Sequence, residues 1–349
     1  MRVLLIKTSS LGDVIHTLPA LTDAIRAYPS IRFDWVVEEG FAEIPHWHPA
    51  VDQVIPVAIR RWRKNLFKTW RNGEWDDFKK RIHQRQYDLV LDAQGLLKSA
   101  WLTRGFKNVP VVGLSRQSAR EPIASYFYDR QISVERDQHA VERTRQLFAQ
   151  AIGYNLPKGI GQYSLNRESL ALDGPQAPYL LFLHGTTWPS KHWPQEQWRA
   201  LAEKLSGQNI AVRIPWGNDT EKARAEAIAA GLSHVRVLPK LNLTGVAAQI
   251  VGAQACVAVD TGLGHLAAAL DIPCVSLYGP TLPGRIGAYG QGQVHLCATG
   301  PNAGLGDRHL DCFENLGAEQ VLAALHPLLK VDRCTNSTVA ETPPVKEAN

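Results

Sequence analysis

Asp260, Thr261, Gly262 and His265 fall within six consecutive positions, directly after the apolar run "CVAV" (Cys256–Val259). Glycines in the "TGLG" turn let backbone approach a ligand closely, and the apolar stretch "HLAAAL" that follows reads as a helix. First-turn N–H groups lack intrahelical partners, so a helix that opens on glycines suits a phosphate. A second cluster lies in "HGTTWPSKHWP", His184 to Pro194. Hydroxyls at Thr186 and Thr187 can donate to phosphate oxygens, and Lys191 can offset a diphosphate charge. Glu221, in "GNDTEKAR", could accept both hydroxyls of a ribose, although a charge favoured by a helix start is the plainer reading. Asp13, in "KTSSLGDVIH", stands at another strand-to-helix junction, where a carboxylate can act as general base on a hydroxyl. Taken singly, each is also an ordinary cap or loop residue. Together they point to a phosphorylated donor facing a base.

Such turns must be held by strands and helices, and the two alternate along the chain, the pattern of parallel α/β sheets. Strand readings fall on "RVLLIK", "FDWVVEE", "DLVLDAQ", "VPVVGL", "YLLFLHG", "IAVRIPWG", "VRVLP" and the runs flanking Gly262. Helices are expected from Val14 to about Tyr28, around "DDFKKRIHQRQ", over "HAVERTRQLFAQAIG" ended by Gly153, and over "AEQVLAALHPLLK". The expected fold class is α/β, with two Rossmann-like domains facing a central cleft. The division expected is an N-terminal domain over 1–155, a Gly/Pro/Asn-rich linker over 156–178, a C-terminal domain over 179–330 and a disordered tail over 331–349. In such sheets ligands bind beyond the carboxyl ends of strands, which singles out the turns after "RVLLIK", "YLLFLHG", "AVRIPWG" and "CVAVD".

At 349 residues, 45% hydrophobic and 20% charged, the chain suits a globular protein rather than a disordered or membrane-spanning one. Five cysteines without a Cys-x-x-Cys pair argue for a reducing compartment and against a structural zinc site. No Asp-x-Asp, His-Glu-x-x-His, Gly-x-Ser-x-Gly or P-loop pattern occurs, which sets metal-dependent, hydrolase and NTPase chemistry aside. "GLGHLA" matches a dinucleotide fingerprint, but it comes late in the chain and the next strand ends on Gly-Pro, with no acid for a ribose. The net charge of +5 is mild, yet "RRWRKNLFKTWR" (60–71) carries six basic residues and no acid. As a helix it would set Arg60, Lys64, Lys68 and Arg71 beside a stripe of Trp62, Leu66 and Trp70. A segment of this kind meets a membrane surface, an anionic ligand or a partner helix, or lies solvated over the core. Nucleic acid is not expected, because no binding motif accompanies it.

"KTSSLGDVIHTLPAL", "HGTT", "KHWP" and "VDTGLGHLAAAL…VSLYGPT" together resemble the lipopolysaccharide heptosyltransferases of glycosyltransferase family 9, from Met1 to about Lys330. The opening is most similar to members that add the first heptose of the inner core. The resemblance implies a GT-B fold whose last helix often crosses back to the first domain. It implies inverting transfer of a heptose from ADP-heptose to the Kdo of Kdo2-lipid A without a metal or other cofactor. Asp13 would be the general base. Thr186, Thr187, Lys191, Glu221, Asp260, Thr261, Gly262 and His265 would hold ADP-heptose, with Leu241 near the adenine, where the family often carries methionine. Arg60, Arg61, Arg63, Lys64 and Arg120, with Arg116, would meet acceptor carboxylates and phosphates. A monomer on the cytoplasmic face of the inner membrane, in peripheral contact with its anionic surface, is expected. A transferase for a later core heptose, a sugar-nucleotide epimerase and a non-catalytic nucleotide binder are the alternatives.

Overall fold

The computed structural model describes residues 1–64, 72–106, 108–174, 176–208, 210–299, 304, 306 and 312–329. The first half contributes β1 (Arg2–Ile6), β2 (Arg32–Glu38), β3 (Val51–Val57), β4 (Leu89–Asp92), β5 (Val111–Leu114) and β6 (Arg130–Ile132). The second contributes β7 (Tyr179–Leu183), β8 (Ala211–Ile214), β9 (Val235–Val237), β10 (Ala255–Val259), β11 (Cys274–Tyr278) and β12 (Gln293–Cys297). They form two six-stranded sheets, ordered β3-β2-β1-β4-β5-β6 and β12-β11-β10-β7-β8-β9. Every pairing is parallel. Counted within its own half, each sheet has the same doubly wound order, which reverses between β1 and β4 and between β7 and β10. Crevices for ligands open at those two points.

The central strands β1, β4, β7 and β10 are near-continuous aliphatic runs buried on both faces, as parallel sheets require. The expected helix from Val14 to Tyr28 is two helices, Leu11–Ile15 and Leu18–Ala27. Pro19 causes the break: it has no N–H to give the Ile15 carbonyl, and its ring would collide with that carbonyl. Between them Thr17 Oγ1 donates to the Asp13 carbonyl at 2.8 Å. The helix before Gly153 runs Ala140–Ile152 and ends on Gly153 at φ +90°.

Residues 156–174 and 176–178 are pinned rather than loose. Arg145 donates to the carbonyls of Gly159 (2.9 Å) and Pro157 (3.1 Å), and Tyr163 and Leu170 are buried. The helix Ala318–Leu329 packs on helix Gln195–Leu205 and on the second sheet, with Val321 and Leu325 in one core with Trp198 and Leu201. Among the described residues it does not cross back to the first half. Of the basic segment, Ile59–Trp62 is a short helix, whereas Leu66, Lys68, Trp70 and Arg71 lie outside the described residues, as does the tail 331–349. The halves share one apolar core, to which Val14, Ile15 and Leu18 contribute from the first half and Leu266, Ala267 and Leu270 from the second, and helix Leu11–Ile15 packs on helix Gly262–Ala269.

Candidate active site

Both crevices are closed at the base by side chains that staple one turn to its neighbour. In the first half Gln94, just past β4, accepts from the amides of Thr8 (3.0 Å) and Ser9 (3.1 Å), just past β1. Lys98 Nζ donates to Ser9 Oγ at 2.9 Å, and Lys7 Nζ to the Ala93 carbonyl at 2.9 Å. Asp92 is fully buried, and burial raises its pKa. It accepts from the Gln94 amide (2.8 Å) and the Tyr128 hydroxyl (2.8 Å). Asp13 occupies the third position of helix Leu11–Ile15, and its Oδ2 accepts from Ser10 N (2.6 Å) and Ser10 Oγ (3.1 Å). Its Oδ1 makes no hydrogen bond among the described residues. One carboxylate oxygen therefore holds the group in place and leaves the other for chemistry. Burial lowers the pKa of the Lys7 ammonium, and the Asp13 and Asp92 carboxylates work against that fall.

The second half repeats the device. Thr186 Oγ1, past β7, donates to the Asp260 carbonyl, past β10, at 3.0 Å. Asp260 Oδ2 pairs with Lys191 Nζ at 2.5 Å and accepts from Thr281 Oγ1 at 2.7 Å. Asp260 is buried and Lys191 partly so, and Lys191 also lies 4.5 Å above the Trp188 ring. Thr261 stands at the start of helix Gly262–Ala269 without a side-chain cap bond; its carbonyl accepts from Gly264 N at 3.1 Å, which leaves the Gly262 and Leu263 amides without an intrahelical partner. Glu221 is the third residue of helix Asp219–Ala229; it receives the Asn218 cap on its amide (3.0 Å), and its Oε2 accepts from Gly217 N (2.7 Å). A Cβ at Gly185 would stand 2.8 Å from the Glu221 carboxyl carbon, so glycine lets β7 reach that carboxylate.

The halves touch where these turns meet. A Cβ at Gly262 would lie 2.5 Å from Leu11 Cδ2, and one at Gly12 would lie 2.7 Å from His265 Cδ2. His16 Nε2 and His265 Nδ1 are 3.2 Å apart, and His265 Nε2 is 3.9 Å from Asp260 Oδ1. His139 packs edge-on to His16 at 5.3 Å. Burial pushes His265 down to about 4 and His16 well below its usual 6.5, so the contact is between neutral rings.

The structure thus gathers Thr186, Lys191, Asp260, Thr261, Gly262 and His265 at one crevice, with Asp13 on the turn across from it. Thr187 is exposed beside Thr186, and Leu241 sits partly buried after β9, further along the sheet. Arg60, Arg63, Lys64, Arg116 and Arg120 are exposed on the first half. Arg61 differs from the others, because it bridges Glu39 (3.1 Å) and Glu74 (2.8 Å) and is committed to holding two segments together. Lys98, Gln94, His16 and Thr281 escape the sequence reading. The strand "DLVLDAQ" is legible, but only the sheet order shows that its turn faces the β1 turn.

Two facing doubly wound sheets, with a carboxylate across from a phosphate-type turn, form the architecture of a GT-B protein. Residues 75–310 match the family described as Glycosyltransferase family 9 (heptosyltransferase). Lipopolysaccharide heptosyltransferase 1 of Pseudomonas aeruginosa is 66% identical over 303 residues, 87% of this chain and 85% of that protein. The solved structure titled "E. coli heptosyltransferase WaaC with ADP" superposes with a TM-score of 0.87 at 48% identity, covering 94% of this chain and 100% of that one. The same Escherichia coli protein with ADP-2-deoxy-2-fluoro heptose gives 0.84 at 47% identity, covering 94% and 99%. The chain belongs to glycosyltransferase family 9 and is a heptosyltransferase.

Proposed function

We propose that this enzyme transfers L-glycero-D-manno-heptose from ADP-heptose to the Kdo of Kdo2-lipid A, with inversion and without a metal, adding the first heptose of the lipopolysaccharide core. The observation that carries the reading is the free Asp13 Oδ1 across the Gly12–His265 contact from the Lys191–Asp260 pair. Asp13 takes the proton from an acceptor hydroxyl as that oxygen attacks the anomeric carbon. The bond from that carbon to the diphosphate oxygen breaks on the opposite face, and its electron pair leaves with ADP. Lys191 and the N-terminus of helix Gly262–Ala269 stabilise the developing charge. Thr186, Thr187, Thr261 and Gly262 hold the diphosphate, and Asp260 and His265 take sugar hydroxyls. Glu221 takes the ribose, and Leu241 lies beside the adenine.

In this reading the first half, 1–155, receives the acceptor, the second, 179–330, receives the nucleotide sugar, and 156–178 joins them. Arg60, Arg63, Lys64 and Arg120, which form no ion pair among the described residues, meet acceptor carboxylates and phosphates. The enzyme acts as a monomer at the cytoplasmic face of the inner membrane. Among the described residues no helix is long and apolar enough to cross a membrane. The test is the mass of Kdo2-lipid A after incubation with ADP-heptose, enzyme and EDTA. A gain of one heptose is expected, and no gain while ADP still binds would overturn the reading.

A further inference from the structure

Four large apolar side chains stand out from one region of the first half. Leu97 is 42% exposed, Trp101 46%, Ile123 54% and Tyr126 71%. They belong to three short elements that pack on one another: helix Leu97–Ala100, the turn Trp101–Thr103 and the turn Pro122–Phe127. The Leu97 amide is tied to the Glu121 carboxylate at 2.7 Å, which joins the two stretches. Behind the patch the framework is stiff. Trp101 stacks on Trp75 with centroids 4.7 Å apart, and Trp75 is backed by Trp62 at 5.8 Å and Phe78 at 5.5 Å. An aromatic base of this kind holds exposed apolar side chains in place at little cost in entropy.

Cations predominate at the surface around the patch. Arg104 and Arg120 flank it in the chain, and Lys98 lies in the fields of the buried Glu38 and of Arg60 and Arg63. Among the described residues Arg60, Arg63, Arg104 and Arg120 form no ion pair, whereas Glu39, Glu74, Asp76 and Glu121 are engaged. Glu39 and Glu74 are held by Arg61, Asp76 pairs with Lys79 at 2.7 Å, and Glu121 caps Leu97. An aromatic and aliphatic surface with an unpaired cationic rim complements the headgroup region of an anionic bilayer.

We propose that Leu97, Trp101, Ile123 and Tyr126 form the surface by which this enzyme docks on an anionic lipid bilayer, the arginine rim meeting lipid phosphates. The placement rests on the lipid-borne acceptor of the function proposed above. Lys98, between Leu97 and Trp101, reaches Ser9 in the Asp13 turn, so a bilayer on this face lies beside the mouth of the acceptor crevice.

The experiment is co-sedimentation of the full chain with phosphatidylglycerol–phosphatidylcholine vesicles and with pure phosphatidylcholine vesicles, neither containing acceptor. The double variant Ile123→Asp/Tyr126→Asp changes two exposed side chains, and its ADP affinity reports that the fold is kept. Its partitioning onto anionic vesicles is expected to fall roughly tenfold or more, with Tyr126→Trp retaining the parent value. Arg104→Glu is expected to weaken binding to anionic vesicles and leave neutral ones unaffected. Parent-like partitioning of the double variant would overturn the proposal. So would a loss of self-association with vesicle binding unchanged, which would assign the patch to a second copy of the chain. Because the vesicles lack acceptor, their binding reports on the patch alone, and the functional reading falls only if the parent enzyme adds no heptose to Kdo2-lipid A in the separate mass assay.

Discussion

Acid should loosen the junction between the two halves, and His265 fixes by how much. Its ring is buried among Gly12, His16 and Asp260, with His139, Asp13 and Lys191 adding to the field. Burial holds its pKa at about 4, against 6.5 in the unfolded chain. As pH falls, the unfolded chain therefore binds the proton first. The stability gained by keeping the ring neutral is complete above pH 6.5 and is lost on descending through 6.5 toward 4. Because burial and the His265 ring both lower the pKa of His16, the loss belongs to the contact of the two rings as a whole and is on the order of 2 kcal/mol by pH 5. His265→Asn removes the titration and keeps a polar group facing His16. Urea unfolding followed by tryptophan fluorescence, near neutrality and near pH 5, reads the difference. His48 and His184, also pushed down to about 4 by burial, titrate in both proteins and cancel. Between the two pH values the parent should lose about 2 kcal/mol more than the variant, roughly 1 M in urea midpoint. Equal acid sensitivity in the two proteins would refute the claim that a neutral His265 closes the junction.

Asp13→Asn keeps an oxygen for the Ser10 amide but no base, so turnover should fall about 10²- to 10⁴-fold with ADP affinity unchanged. Retained turnover in a heptose-transfer assay would reduce Asp13 to a helix cap. Gly262→Ala drives a methyl into Leu11, an overpacking of about 1–3 kcal/mol borne by the closed contact. Heptose transfer should drop by roughly 5- to 150-fold in a turnover assay. Arg145→Met strands Asp23; both side chains are only 2% exposed, so a loss of about 3–5 kcal/mol in unfolding free energy is expected. Reversing Arg60, Arg63 and Lys64 to Glu should raise the acceptor KM and leave the donor KM alone; Arg61 is spared because it ties Glu39 to Glu74.

What could be read from the sequence divides along the range of the interactions involved. The central strands announce themselves because burial on both faces demands unbroken aliphatic runs. Of the four edge strands β9 is legible, but β3, β6 and β12 are not: β3 carries Asp52, Gln53 and Pro56, and β12 is only partly buried. Their strand form comes from a neighbour's ladder rather than from their own pattern. The donor turn was legible for a similar reason, since Asp260 to His265 are contiguous and their types suffice. Lys98 was not, because its partner Ser9 is 89 positions away. His16 likewise reads as the end of a short helix until the fold brings His265 to it from 249 positions away.

The glycines at the junction tie the sheet order to the reaction. Each sheet opens its crevice where its strand order reverses, so two copies of one order set face to face bring two helix starts together. Leu11–Ile15 carries the proposed base, and Gly262–Ala269 carries the proposed diphosphate site. Their separation is set by the smallest side chains at the contact. Gly12 admits the His265 ring, and Gly262 admits Leu11, at distances that no Cβ could keep. An added methyl at either position must move the Asp13 turn away from the donor turn by some tenths of an ångström. A reaction that needs the attacking oxygen poised on the anomeric carbon is sensitive to shifts on that scale. On this argument the glycines of "SLGD" and "DTGLG" serve less to free their own backbones than to set the gap that a sugar must bridge.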